Sequence, residues 1–153
     1  MDRHALPQSH RLRIGRVSEH GRIYLVTCVC KGRQPWFSDL SRGRCVVTAM
    51  RRVQDQAQTL CYVVMPDHVH WMMQLCGHMS LSQTVQMLKS IASKELHRCH
   101  GLSLSVWGAG FHDRALRREE DMLAVARYVV ANPLRAGLVA RLGDYPLWDA
   151  AWV

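Results

Sequence analysis

Hydrophobic and polar positions change period several times along the chain, and each change marks an element. Residues 22–30, RIYLVTCVC, are dense in apolar and β-branched side chains and predict a buried strand. Past Gly32 and Pro35, the apolar positions Val46, Met50, Val53 and Ala57 fall at helical spacing, which predicts a helix from Ser38 to about Gln58. Residues 60–65, LCYVVM, predict a second strand. Pro66-Asp67 is a turn pair, and residues 68–75, HVHWMMQL, predict a third strand antiparallel to the second. Ser80 and Gln83 have the spacing of a capping box, so a second helix is expected to start near Ser80 and to stop at Gly101. Leu81, Val85, Leu88, Ala92 and Leu96 make its apolar stripe, with Lys89, Ser93, Lys94 and His97 off it. A fourth strand is expected over about Phe111–Leu116. Glu119, Glu120 and Asp121 suit the positive end of a third helix running to about Asn132, where Pro133 resists continuation. The tail, residues 134–153, carries Tyr145, Trp148 and Trp152 and is expected to pack back onto the domain.

The order β-α-β-β-α-β-α predicts an α+β fold: a ferredoxin-like split βαβ with a four-stranded antiparallel sheet and helices on one face. The 153 residues divide into a basic arm, residues 1–20, and a single domain, residues 21–153. Twenty Lys+Arg against twelve Asp+Glu give +8, which points to a polyanionic partner, most simply nucleic acid. An apolar content of 48% excludes a disordered chain. No apolar run approaches the roughly 20 residues that cross a bilayer, and the first residues are polar and basic. The expected location is cytoplasmic and nucleoid-associated, with no membrane partner. Cys28, Cys30, Cys45, Cys61, Cys76 and Cys99 form no C-x-x-C pair or zinc spacing and are expected to be reduced core thiols.

Three constellations carry candidate chemistry. In a strand, residues two apart share a face, so His68 and His70 project together, with Cα atoms about 7 Å apart, and can chelate one divalent ion. On the third helix, Tyr128 and Asn132 are one turn apart, and Tyr128 lies off the apolar stripe of Met122, Val125, Ala126 and Val129. Basic residues surround these elements: Arg114, Arg117, Arg118, Arg127 and Arg135, with Lys89 and Lys94 expected on the exposed side of the second helix. Taken singly, each has a plainer reading: solvated histidines, a boundary tyrosine, an asparagine helix cap, ordinary surface charge.

In combination they resemble a known family. The segment YVVMPDHVHWMMQL is similar to the motif of the HUH nucleases, two histidines flanking one hydrophobic residue, and ARYVVANPLRAGLV is similar to the tyrosine helix of the single-tyrosine transposases. The stretch WGAGFHDRALRREEDMLAVARYVVANPLRAGLV, with DYPLWDAAWV after it, resembles the REP-associated tyrosine transposases of the IS200-like group. The resemblance covers about residues 12–153. It implies the HUH nuclease fold, His68 and His70 as ligands of Mg²⁺ or Mn²⁺, Asn132 as a third polar ligand, and Tyr128 as nucleophile. It also implies the activity: cutting single-stranded DNA beside an imperfect hairpin, leaving a 5′-phosphotyrosine and a free 3′-hydroxyl that can be rejoined. Arg3, Arg11, Arg13, Arg16, Lys89, Lys94, Arg114, Arg117, Arg118 and Arg127 are then expected to bind DNA. Related transposases often pair two subunits, so a homodimer is a further expectation, although the sequence names no interface.

The chemistry suits these residue types. A divalent ion neutralises a phosphate oxygen, and mixed imidazole and amide ligation suits Mn²⁺, while Mg²⁺ prefers oxygen. A free tyrosine, with a pKa of about 10, is a poor nucleophile without such help. A phosphotyrosine link conserves the phosphodiester's energy, so rejoining needs no ATP. Single strands also bind by base stacking, for which Trp36, Trp71, Trp107 and Trp148 are candidates, with core packing expected for most of them. Two other readings compete: a non-catalytic nucleic-acid-binding module of RNA-recognition topology, which needs exposed sheet aromatics, and a hydrolase using water, whose cutting survives loss of Tyr128.

Overall fold

The structure, a computed structural model, describes residues 18–117 and 119–151, with the backbone alone for Glu119 and Glu120. Arg3, Arg11, Arg13 and Arg16 of the arm, together with Arg118 and Trp152, lie outside the described residues. The strands are β1 (Ile23–Val29), β2 (Ala57–Met65), β3 (His68–Leu75), β4 (His112–Leu116) and β5 (Trp148–Ala150). The helices are α1 (Leu40–Arg52), α2 (Leu81–His100), α3 (Glu119–Val130) and the single turn α4 (Asn132–Arg135). None of the described helices is long and apolar enough to cross a membrane.

The sheet order is β4-β1-β3-β2-β5, antiparallel at every pairing. The first four strands have the split βαβ order that the sequence predicts. The fifth corrects the expectation of four. Residues 148–150 pair with residues 61–63, Ala150 opposite Cys61 and Trp148 opposite Val63. Three residues are too few to show a strand period, but they cover an edge of β2 that would otherwise be open. The tail is held beside them by buried Leu147 and by the Tyr145 hydroxyl, which donates to the Val64 carbonyl at 2.6 Å.

Element boundaries follow local signals with one shift. The first helix stops at Arg52, not near Gln58, and β2 starts early, at Ala57. Ala57 is buried as a strand residue although it continues the helical spacing. The second helix is as expected: Ser80 and Gln83 exchange both capping-box hydrogen bonds, and Gly101 closes it at φ 67°.

The register divides the sheet into two faces. Tyr24, Val26, Cys28, Val64, Val69, Trp71, Met73 and Leu75 share one face and are buried. The first two helices pack together over it, and α1 comes close to Val64 at Gly43, where a Cβ would meet Leu147 at 2.4 Å and Val64 at 3.4 Å. Leu25, Thr27, Cys61, Val63, His68, His70 and Met72 share the other face. Here the expectation of helices on one face is corrected. Cys61, Val63 and Met72 are at most 1% exposed, and an apolar patch of this kind needs a cover. The third helix supplies it, contacting β2 and β5 and burying Val125, Ala126, Val129 and Val130.

The cysteine expectation holds for four of six. Cys28, Cys30, Cys45 and Cys61 are buried free thiols, whereas Cys76 and Cys99 are exposed. Burial pushes Cys28 up to about 11 and Cys61 up to about 12, which leaves both protonated and unreactive.

Candidate active site

The Pro66-Asp67 turn places His68 as the first residue of β3, with His70 two residues on. Their rings lie edge to face, centroids 4.9 Å apart. Each ring has one nitrogen engaged. Nδ1 of His68 is 2.7 Å from Oδ1 of Asp67, and Asp67 in turn accepts from Nη1 of Arg33 at 3.2 Å. Nδ1 of His70 is 2.9 Å from the Thr27 hydroxyl on β1. With Nδ1–H donating in each case, both Nε2 atoms keep their lone pairs. A carboxylate or hydroxyl behind each imidazole is the arrangement that fixes the tautomer of metal-binding histidines.

The electrostatics agree. Burial, with the charges of His68 and Arg135 adding to it, pushes His70 down to about 4, so the ring is neutral at pH 7 and able to act as a ligand. Burial would raise Asp67, but hydrogen bonds from His68 and Arg33 outweigh it and hold the carboxyl below its usual range. Among the described residues no group of three or more His, Cys, Asp or Glu is placed to hold an ion. A site built on this pair therefore needs a third donor of another type, such as an amide.

Tyr128 stands on the flank of α3, 60% exposed, while its neighbours Val125, Ala126 and Val129 are buried. The helix gives way at Ala131, and α4 starts at Asn132 with Pro133 in its first turn. Asn132 uses its amide N–H on the Val129 carbonyl at 2.9 Å, a capping role that leaves its oxygen as the only group of the amide able to meet a cation. Arg135 reaches back to Tyr128. Its Nη2 donates to the Tyr128 carbonyl at 2.7 Å, and its Cζ lies 3.7 Å from the centre of the Tyr128 ring.

The expected DNA-binding residues divide. Arg114 is exposed and lies opposite Leu25, so it shares the histidine face; Arg117 and Arg127 are exposed too. Lys94 is exposed, but on α2, across the sheet from the histidines. Lys89 corrects the sequence reading. It is 7% exposed, and its Nζ donates to the carbonyls of Gly108 (3.1 Å) and Gly110 (2.5 Å). The loop before β4 folds over α2 and takes this ammonium as an internal clamp. Of the four tryptophans considered for stacking, Trp71 and Trp107 are buried, and Trp36 and Trp148 are half-buried.

Sequence reasoning missed Thr27, Asp67 and Arg33. Asp67 stands beside a histidine in the sequence, and that adjacency was the available signal. Thr27 and Arg33 carry none, because only the β1–β3 register and the following turn bring them to the histidines.

The family model described as "Transposase IS200 like" matches residues 19–131. The chain belongs to the IS200-like transposase family. The match runs from before β1 through α3, so it takes in His68, His70 and Tyr128 and stops one residue short of Asn132. The fold of this IS200-like transposase is that of a REP-associated tyrosine transposase solved bound to a REP hairpin: TM-score 0.72 and 22% identity, covering 87% of this chain and 79% of the other. A putative transposase from Deinococcus radiodurans is also similar, with TM-score 0.55 and 17% identity over 75% of this chain and 93% of that one. A bacterial tRNA(His) guanylyltransferase (Thg1)-like protein in complex with ATP shares the fold at TM-score 0.55 and 10% identity, over 92% of this chain and 69% of that one. No curated protein matches the sequence.

Proposed function

We propose that this IS200-like transposase cuts and rejoins single-stranded DNA beside a hairpin, with Tyr128 as the nucleophile and with His68, His70 and the Asn132 oxygen holding a Mg²⁺ or Mn²⁺ ion. The observation that carries the reading is the engaged Nδ1 of each histidine, by Asp67 and by Thr27, on one sheet face, which leaves Nε2 of each ring as the candidate donor. When bound, the ion would supply positive charge to a non-bridging oxygen of the scissile phosphate.

The protein's own residues do the rest. The Tyr128 oxygen attacks phosphorus; the bond from phosphorus to the 3′-oxygen breaks, and the phenolic proton ends on that oxygen. The products are a 5′-phosphotyrosine and a 3′-hydroxyl. Attack by an incoming 3′-hydroxyl reverses the step and restores the tyrosine. Arg114, Arg117 and Arg127, exposed and cationic, track the phosphates. The hairpin as partner is supported by the hairpin-bound transposase of the same fold. An RNA-recognition module would need exposed aromatics on this face. The face carries Thr27, His68 and His70 instead, and Tyr24 and Trp71 are buried on the other.

The test uses a labelled single strand bearing a hairpin, with Mn²⁺. Wild type should yield a protein–DNA adduct that survives denaturation, attached through the 5′ side of the break. His68→Ala and His70→Ala should lose cutting while largely keeping hairpin binding. Tyr128→Phe should bind and form no adduct. Cutting by Tyr128→Phe at a comparable rate would transfer the nucleophile to water or to another tyrosine and overturn the reading.

A further inference from the structure

We propose that Arg135 is the positioning residue of the tyrosine, a preformed seat that holds the Tyr128 ring in one orientation before DNA arrives. The inference rests on Tyr128 being the nucleophile. An exposed tyrosine on a helix flank is free to sample several rotamers, and ordering it at the moment of reaction has an entropic cost. Tyr128 is 60% exposed, yet its ring is packed: the planar Arg135 guanidinium lies over it at 3.7 Å, as cation–π stacking requires. The guanidinium is itself fixed, because Nη2 donates to the carbonyl of Tyr128, the residue it stacks on.

The backbone is shaped for this contact. In a continuous helix residue 135 would stand about 10 Å further along the axis than residue 128. The helix instead breaks between Val130 and Asn132. Buried Pro133 lies in the short turn α4, and the Arg135 side chain reaches back over the last turn of α3. The carbonyls freed at that end are taken by Asn132 and Arg135. Lysine at this position keeps the charge and a donor for the carbonyl but offers no planar face; glutamine offers a planar amide without charge.

The experiment compares wild type, Arg135→Lys and Arg135→Gln in the full chain with Mn²⁺ and the hairpin-bearing single strand. Single-turnover cutting at saturating DNA should fall roughly 10- to 100-fold in Arg135→Lys, the effect of a misplaced reacting group, while hairpin affinity and its salt dependence change little. In DNA-free protein carrying ¹³C-labelled tyrosine, the Tyr128 ring resonances should move and show averaging in both variants. An unchanged saturated rate with weaker binding and a shallower salt slope would make Arg135 a phosphate contact and overturn the proposal. Unmoved Tyr128 resonances in both variants would overturn it as well. If Tyr128→Phe keeps cutting, the nucleophile reading falls, and the ring resonances still report separately whether the seat exists.

Discussion

Thr27 on β1 and His70 on β3 are register partners in the antiparallel ladder, and the Thr27 hydroxyl stands 2.9 Å from Nδ1 of His70. A backbone pairing thus fixes the orientation of an imidazole. The threonine sits opposite the histidine as a cross-strand neighbour would, but its oxygen is aimed at one ring nitrogen and leaves the other outward.

Thr27→Val keeps the β-branched shape and removes that oxygen. Affinity for Mn²⁺, read by calorimetry, should fall roughly 10- to 100-fold, the range seen when the group behind a ligating histidine is lost. The variant should fold normally. Wild-type affinity in Thr27→Val would mean that the hydroxyl only fills space.

Asp67→Asn retains the shape of the turn but replaces a charged acceptor behind His68 by a neutral one. Arg33 loses its ion-pair partner as well, a loss of little weight because the Arg33 side chain is 63% exposed. Mn²⁺ affinity should drop about tenfold while thermal stability moves little. A large stability loss with unchanged metal affinity would assign Asp67 to the turn alone.

His70 gives the metal-free protein a pH dependence. Its folded value is pushed down to about 4 from an ordinary 6.5. Below pH 6.5 the unfolded chain therefore takes up a proton that the folded chain refuses. The stability due to neutral His70 is complete above pH 6.5 and is lost progressively as the pH falls toward 4. In chelator-treated protein, the urea midpoint of wild type should fall over this window more steeply than that of His70→Gln. Parallel curves would show that His70 is solvated.

Lys89 is buried, and its ammonium holds the carbonyls of Gly108 and Gly110, so its expected role is in stability. Lys89→Met keeps the stem and leaves the carbonyls of Gly108 and Gly110 without the ammonium. Unfolding free energy should drop by about 1–3 kcal/mol. The salt dependence of hairpin binding should stay at the wild-type slope, since no phosphate contact is removed. A shallower slope with unchanged stability would return Lys89 to the DNA surface.

Much of the site was legible because its signals are local. The two-residue period of a strand is enough to put His68 and His70 on one face. The helical step is enough to put Tyr128 off the stripe of Val125, Ala126 and Val129, and it is exposed in the structure. Ser80, Gln83 and Gly101 mark the ends of α2 by backbone geometry that neighbouring residues dictate.

The sequence by itself determined the order of the first four strands, the extent of β3 and α2, the side on which the histidines project and the exposure of the tyrosine. These are set by periodicity and capping within a few residues. Tertiary structure decided the rest. Thr27 reaches His70 across 43 residues of chain, Lys89 is buried because a distant loop closes over it, and residues 148–150 become a strand because β2 leaves an edge to pair. The physical reason is the same in each case: a side chain's period reports which way it points, whereas what it meets there depends on strand register and on where a remote segment comes to rest.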